Sequence, residues 1–267
     1  MVADSPIGVF DSGIGGLTVF RELIRQLPNE SIVYFGDTAR VPYGPKSPDT
    51  VLRYSQEIGA FLEQQGIKAL VVACNTATAH AVPALRASLK VPVIGVIEPG
   101  ARAAAAATKS GSVGVIGTEG TIRSRAYESE ILKILPDARI SAAACPLFVP
   151  LVEEGWLETE ATGVIAREYL TPLRDAHIDT LVLGCTHYPL IKRAIGTVVG
   201  REVRLIDSAA ETAAETAHVL RDQNLLAGEG STARYRFIAS DAPETFLRLG
   251  QRFLGAAIER VETITLG

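Results

Sequence analysis

Ile67-Lys-Ala-Leu-Val-Val-Ala-Cys74 and Ile178-Asp-Thr-Leu-Val-Leu-Gly-Cys185 decide how this chain folds. Each is a strand-length apolar run, unbroken rather than alternating, which suits a strand covered on both faces of a parallel sheet. Each ends on a cysteine, then gives way to polar residues and a helical pattern. The two lie 111 residues apart. A second echo joins them: Ile7-Gly-Val-Phe-Asp-Ser12 lines up with Val113-Gly-Val-Ile-Gly-Thr118 at an offset of 106. Buried runs of Val, Leu and Ala look alike anywhere, so one echo alone would mean little. A cysteine at the same strand end in both copies favours an internal repeat of about 100 residues.

Outward from those runs the same alternation fills the chain. Strand-like runs fall at Ile7–Phe10, Ile32–Phe35, Ala69–Ala73, Val91–Ile97, Val113–Ile116, Ile140–Ala144, Leu181–Leu183 and Val203–Ile206. Between them, Ser47 and Pro48 read as the N-cap and first residue of a helix that stops at Gly66. Ser208 and Glu211 read as a capping box for a helix running to about Leu226. The polar stretch Gly228–Arg234 resembles a linker. It leads to a strand at Tyr235–Ala239, a helix from about Pro243 to Arg260 and a final short strand. This order predicts an α/β protein of two similar doubly wound domains with mainly parallel sheets, related by internal pseudo-symmetry. The active site is expected in the cleft between them. The repeat offsets put the domains at 1–97 plus 208–267 and at 98–207.

Composition removes several function classes. Of 267 residues, 47% are hydrophobic and 21% charged, which is globular rather than disordered usage. Mean hydropathy is +0.21, yet the longest uncharged stretch, Ala69 to Leu85, contains Asn75, His80 and Pro83. No membrane span is expected. The opening Met-Val-Ala-Asp-Ser-Pro has neither the basic nor the apolar region of a signal peptide, so the expected location is cytoplasmic. The net charge of −4, with no run of like charges, argues against nucleic acid as a partner. Three widely spaced cysteines make no disulfide framework and are expected as free thiols.

Cys74 and Cys185 each end a strand at the sheet edge where α/β proteins hold ligands. A thiol just before a helix meets free N–H groups and the positive end of the helix dipole, which favours thiolate. Pro189 reads as the first residue of the second such helix. The plain alternative, a small buried hydrophobe, is the reading for Cys145, which has no mate in the repeat. Paired thiols leave three chemistries open. A metal site with His80 and His187 lacks any CxxC or HxxxH spacing, and no metal is expected. Redox exchange requires the thiols to meet. Proton transfer on opposite faces of one carbon also explains the duplication, because near-mirror bases match near-mirror substrate and product.

Two loops complete the inventory. Asp11-Ser-Gly-Ile-Gly-Gly-Leu17 follows the first strand, but Thr18 stands where a dinucleotide fingerprint needs its third glycine. It reads as an anion loop offering Ser12 and backbone N–H groups, or as a tight turn alone. Gly36–Gly44 ends in Pro-Tyr-Gly, a turn with exposed amides.

Taken together, DSGIGGL (11–17), VPYG (41–44), ACNTA (73–77) and GCTHYP (184–189) resemble the glutamate racemases, over about Ile7 to Thr212. The resemblance implies a cofactor-independent isomerase that interconverts L- and D-glutamate and supplies D-glutamate for peptidoglycan. It implies Cys74 and Cys185 as the acid–base thiols, Cys74 acting on the D and Cys185 on the L enantiomer. By the same resemblance Asp11 assists Cys74, while His187 with Glu153 assists Cys185. Asp11, Ser12, Tyr43, Gly44, Asn75, Thr76, Thr186 and His187 would hold the amino acid, with no cofactor. A homodimer, common in that family, is allowed.

Overall fold

The computed structural model describes residues 2–228, 230–254 and 258–266. The chain begins with β1 (Ile7–Asp11), α1 (Leu17–Gln26), β2 (Ile32–Gly36), α2 (Pro48–Gln64), β3 (Ala69–Val72), α3 (Asn75–Ser88) and β4 (Val93–Gly95). It continues with α4 (Ile97–Ala107), β5 (Ser112–Gly117), α5 (Glu119–Ser124), α6 (Ala126–Ile134), β6 (Arg139–Ala144), α7 (Phe148–Glu153) and α8 (Glu160–Asp175). Then come β7 (Thr180–Gly184), a 3-10 turn (Tyr188–Ile191), α9 (Lys192–Val199) and β8 (Arg204–Asp207). The last elements are α10 (Ser208–Asp222), β9 (Tyr235–Ala239), α11 (Pro243–Leu254) and β10 (Glu262–Thr263).

These elements form two compact units, Met1–Val96 with Ala209–Gly267, and Ile97–Ser208. The first holds a sheet in the order β10-β9-β2-β1-β3-β4, the second a sheet in the order β6-β5-β7-β8. Every strand pair in both is parallel. The order β2-β1-β3-β4 therefore recurs as β6-β5-β7-β8, and the sequence repeat is a repeat of topology. Both units are α/β with parallel sheets, as the alternation of runs predicts.

The repeat extends to single atoms. In β1 a side chain added at Gly8 would come within 2.8 Å of Ile67 Cδ1; in β5 one added at Gly114 would come within 2.6 Å of Ile178 Cδ1. Each glycine opens the floor on which the isoleucine before the cysteine strand is buried. Burying such a side chain is worth about 2 kcal/mol. Central strands β1, β3, β5 and β7 are buried throughout, whereas β6 and β8, the edges of the second sheet, are partly exposed.

Helix ends follow the expected chemistry with corrections. Ser47 Oγ accepts from Thr50 N at 3.3 Å, Pro48 opens α2, and Gly66 takes φ +75° just beyond its end. The run Val91–Ile97 supplies only three strand residues, because Pro92 has no N–H to donate and α4 already begins at Ile97. Helix α10 ends at Asp222 rather than near Leu226. Asn224 turns left-handed at φ 55° and the Leu225 N–H returns to Leu220 O at 2.8 Å, which closes the helix early. The helix expected to reach Arg260 runs to Leu254; positions 255–257 lie outside the described residues, and 258–260 are not helical. Among the described residues, no helix is long and apolar enough to cross a membrane.

Candidate active site

In the first unit the sequence-predicted residues gather in three loops after adjacent parallel strands: Asp11 and Ser12 after β1, Tyr43 and Gly44 after β2, and Cys74, Asn75 and Thr76 after β3. Parallel strands place all their C-terminal ends on one edge, where ligands bind in such sheets. The β1 loop is locally fixed. Gly13 N donates to Asp11 Oδ2 at 2.9 Å, and Tyr34 OH donates to Gly13 O at 2.9 Å. Gly16 is needed where the loop enters α1: a Cβ there would lie 2.6 Å from Asp11 Cβ and 2.9 Å from Ala73 Cβ. That close approach accounts for Gly16 of DSGIGGL.

Cys74 is the N-cap of α3, with Sγ accepting from Ala77 N at 3.5 Å and lying 3.7 Å from Ser12 Oγ. It is buried, at 6% exposed. Asn75 and Thr76 occupy the first turn of α3 and are buried. Burial, then the charges of Asp11 and Cys74, push the Tyr34 phenol far up, so it stays a neutral donor beneath the loop.

Tyr43 is placed differently from what a substrate-binding phenol suggests. Its OH donates to Asp37 Oδ2 at 2.5 Å, and the side chain is 1% exposed. Burial and the neighbouring Asp37 charge push its pKa up. With the hydroxyl engaged inward, the Tyr43–Gly44 turn is left to offer main-chain groups. Asp37, absent from the sequence reading, is the buried group that arranges this turn; the signal was an acid directly after a strand, in Gly36-Asp37-Thr38.

In the second unit Cys185, Thr186 and His187 follow β7. Here the expected helix start fails: His187 precedes a 3-10 turn in which Pro189 is second, and α9 begins only at Lys192. Cys185 therefore has no α-helix N-terminus immediately after it. It has a histidine instead. His187 Nδ1 lies 3.8 Å from Cys185 Sγ, and its Nε2 lies 3.1 Å from Glu153 Oε1 at the end of α7. Burial opposes the imidazolium, but hydrogen bonds and charge from Cys185 and Glu153 outweigh it and push His187 up to about 10. Thr186 is buried beside them. The repeat mates of Asp11 and Ser12 are Gly117 and Thr118, so the second copy carries no carboxylate at that strand end. Its acid, Glu153, comes from another element.

Cys145 behaves as packing. It is fully buried, its Sγ lies 3.8 Å from Ala143 O, and burial raises its pKa far from the thiolate range. Its carbonyl accepts from Tyr188 OH at 2.9 Å, which anchors the turn after Cys185.

Each unit thus presents a sulfur at a strand end with a cationic or dipolar partner: helix N–H groups at Cys74, an imidazole backed by a carboxylate at Cys185.

Known proteins carry the same arrangement of sequence. The family described as Asp/Glu/Hydantoin racemase matches residues 7–216. The glutamate racemase of Geobacter metallireducens is 58% identical over 260 residues, 97% of this chain and 96% of that protein. A glutamate racemase isoform from Bacillus anthracis superposes with a TM-score of 0.93 at 44% identity, covering 98% and 97% of the two chains. The Francisella tularensis glutamate racemase, solved in complex with D-glutamate, superposes with a TM-score of 0.93 at 39% identity over 99% of both chains.

Proposed function

The chain belongs to the Asp/Glu/hydantoin racemase family, and from that premise we propose that it interconverts L- and D-glutamate by two-base proton transfer at the α-carbon. The observation that carries this reading is the pair of thiols at equivalent strand ends, each with a local group suited to charge it. One thiolate removes the α-proton and the other thiol delivers a proton to the opposite face, leaving the first protonated and the second ionised. The enzyme is then set for the reverse reaction. Cys185 serves the L enantiomer and Cys74 the D enantiomer, with Asp11 assisting Cys74 and the Glu153–His187 pair assisting Cys185. Ser12, Asn75, Thr76 and Thr186, with the Tyr43–Gly44 main chain, hold the amino acid and stabilise the developing carbanion by preorganised donors.

On this reading the enzyme needs no cofactor, works on a small molecule in the cytoplasm, and feeds D-glutamate to peptidoglycan synthesis. The units at 1–97 plus 208–267 and at 98–207 are its domains; the grouping of contacts, with limits a residue away, supports them. A homodimer is the assembly to look for, by light scattering.

Incubation with L-glutamate in deuterated water, followed by proton NMR and chiral analysis, tests the reaction. Loss of the α-proton signal with appearance of the D enantiomer is expected, and aspartate should react far more slowly. A protein that binds glutamate without exchanging its α-proton would be a binding module, and the racemase reading would fall. Cys74→Ser and Cys185→Ser should each lower turnover by at least a hundredfold, because a hydroxyl gives no usable anion where a thiol ionises near pH 8.5. Cys145→Ser should retain most activity. Full activity in either of the first two variants would eliminate the two-thiol mechanism.

A further inference from the structure

Ser240 lies outside every motif that carries the family resemblance, directly after β9, and it is 3% exposed. Its main-chain N–H donates to Gly36 O at 3.0 Å. Its Oγ donates to Asp37 Oδ1 at 2.9 Å and accepts from Ala39 N at 2.8 Å. Next to it Asp241 N donates to Thr38 Oγ1 at 2.9 Å, and Thr38 Oγ1 donates back to Asp241 O. The chain after β9 is thus laced to the chain after β2 from Gly36 to Ala39.

Asp37 passes this anchoring onward. Besides Ser240 it takes both the Arg40 Nε–H, at 2.8 Å to Oδ2, and the Tyr43 hydroxyl, at 2.5 Å to the same oxygen. Arg40 is held in turn by Glu57 and stands 4.1 Å over the Tyr54 ring, whose centroid is 5.8 Å from that of Tyr43. A buried carboxylate is stable only when its lone pairs are satisfied. Removing the Ser240 hydroxyl leaves Oδ1 to the longer Arg40 contact of 3.1 Å, and leaves the Ala39 N–H without its acceptor.

We propose that Ser240 is a positioning residue of the substrate site: acting through Asp37, it fixes the Tyr43–Gly44 turn whose main chain holds the amino acid. The inference rests on the glutamate reading above. The chain just after β9 is then a working part of the site, although no motif falls in it.

Ser240→Ala, Ser240→Thr and the control Arg236→Ala, in β9 just before Ser240 but paired with Glu262 at the surface, test this. In Ser240→Ala, KM for both enantiomers should rise about tenfold, the factor one buried hydrogen bond is worth, with kcat within threefold of wild type. Amide exchange read by mass spectrometry should speed up in peptides covering 38–44 and nowhere else. Ser240→Thr should restore both, and Arg236→Ala should change neither. If Ser240→Ala fails to fold, Thr38→Val cuts the more exposed part of the same lacing and carries the same expectation for exchange at 38–44. Unchanged KM and exchange in Ser240→Ala would overturn the proposal; so would faster exchange throughout the unit with a matching fall in kcat. Absence of racemisation in the wild type would sink the glutamate reading alone, because the exchange measurement needs no substrate.

Discussion

His187 sets how the second half-site answers to pH. A histidine near 6.5 in the unfolded chain and about 10 in place stabilises the fold as imidazolium. That contribution is complete below pH 6.5, declines as pH rises, and is gone above about 10. Glu153 is one of the two charges responsible, so Glu153→Gln should bring the His187 pKa down toward neutrality, read by NMR titration of its ring. If His187 prepares Cys185 as proposed, the same variant should lower kcat roughly tenfold from L-glutamate and less from D-glutamate. The equilibrium constant between enantiomers is one, so kcat/KM must fall equally in both directions and KM must absorb the difference. Equal kcat losses would reduce Glu153 and His187 to substrate holders. At this scale the sequence marked the two strand-end cysteines and hid their surroundings. The cysteines were legible because they recur in the repeat. The hydroxyl of Tyr43 was not, since its partner is chosen by how the loop after β2 folds back on itself.

Strands carry the repeat more faithfully than helices do. Gly114 leaves room for Ile178 and Leu181, whose Cδ1 atoms lie 2.6 and 2.8 Å from where its Cβ would stand. Gly114→Ala should therefore cost about 1–2 kcal/mol by overpacking, measured by urea unfolding. Ile178→Val removes the nearer methyl, so the double variant should be less destabilised than the sum of the two. Simple additivity would mean the glycine is not there for the isoleucine. The strand runs were readable because burial on both faces demands unbroken apolar residues. Helix starts were less so: Cys74 and Cys185 have alike sequences before them, yet α3 begins at once and the turn after Cys185 stays 3-10 until Lys192. After Cys185, Tyr188 has its hydroxyl tied to Cys145 O and its ring edge-on to Phe148 at 5.2 Å. Such contacts lie far along the chain and leave no local trace.

The first unit is closed by residues from both ends of the chain. Lys68 and Glu30 form an ion pair, 0% and 2% exposed. Around it, Lys68 Nζ also donates to Ala3 O, and Ala227 N donates to Glu30 Oε1 at 2.8 Å. Lys68→Met strands a buried carboxylate and should cost about 3–5 kcal/mol, whereas adding Glu30→Gln should recover most of it; thermal unfolding of the three proteins decides. Losses that merely add would show that the pair does not act as one. No sequence motif marks these residues, because Lys68 and Glu30 come from separate elements of the first segment and Ala227 from beyond the inserted second unit.

That insertion also has a history in time. Asp37 and Ser240, bonded in the finished protein, are 203 residues apart. At about 5–20 residues per second of translation, strand β2 waits on the order of 10–40 seconds for β9. Until then the nascent chain carries β2 with one edge bare, a row of unpaired backbone groups on an apolar strand that invites the wrong neighbour. Meanwhile 97–208 emerges whole and can close without waiting. Synthesis thus completes the inserted unit first, and the unit that begins the chain is the one whose sheet stays open longest.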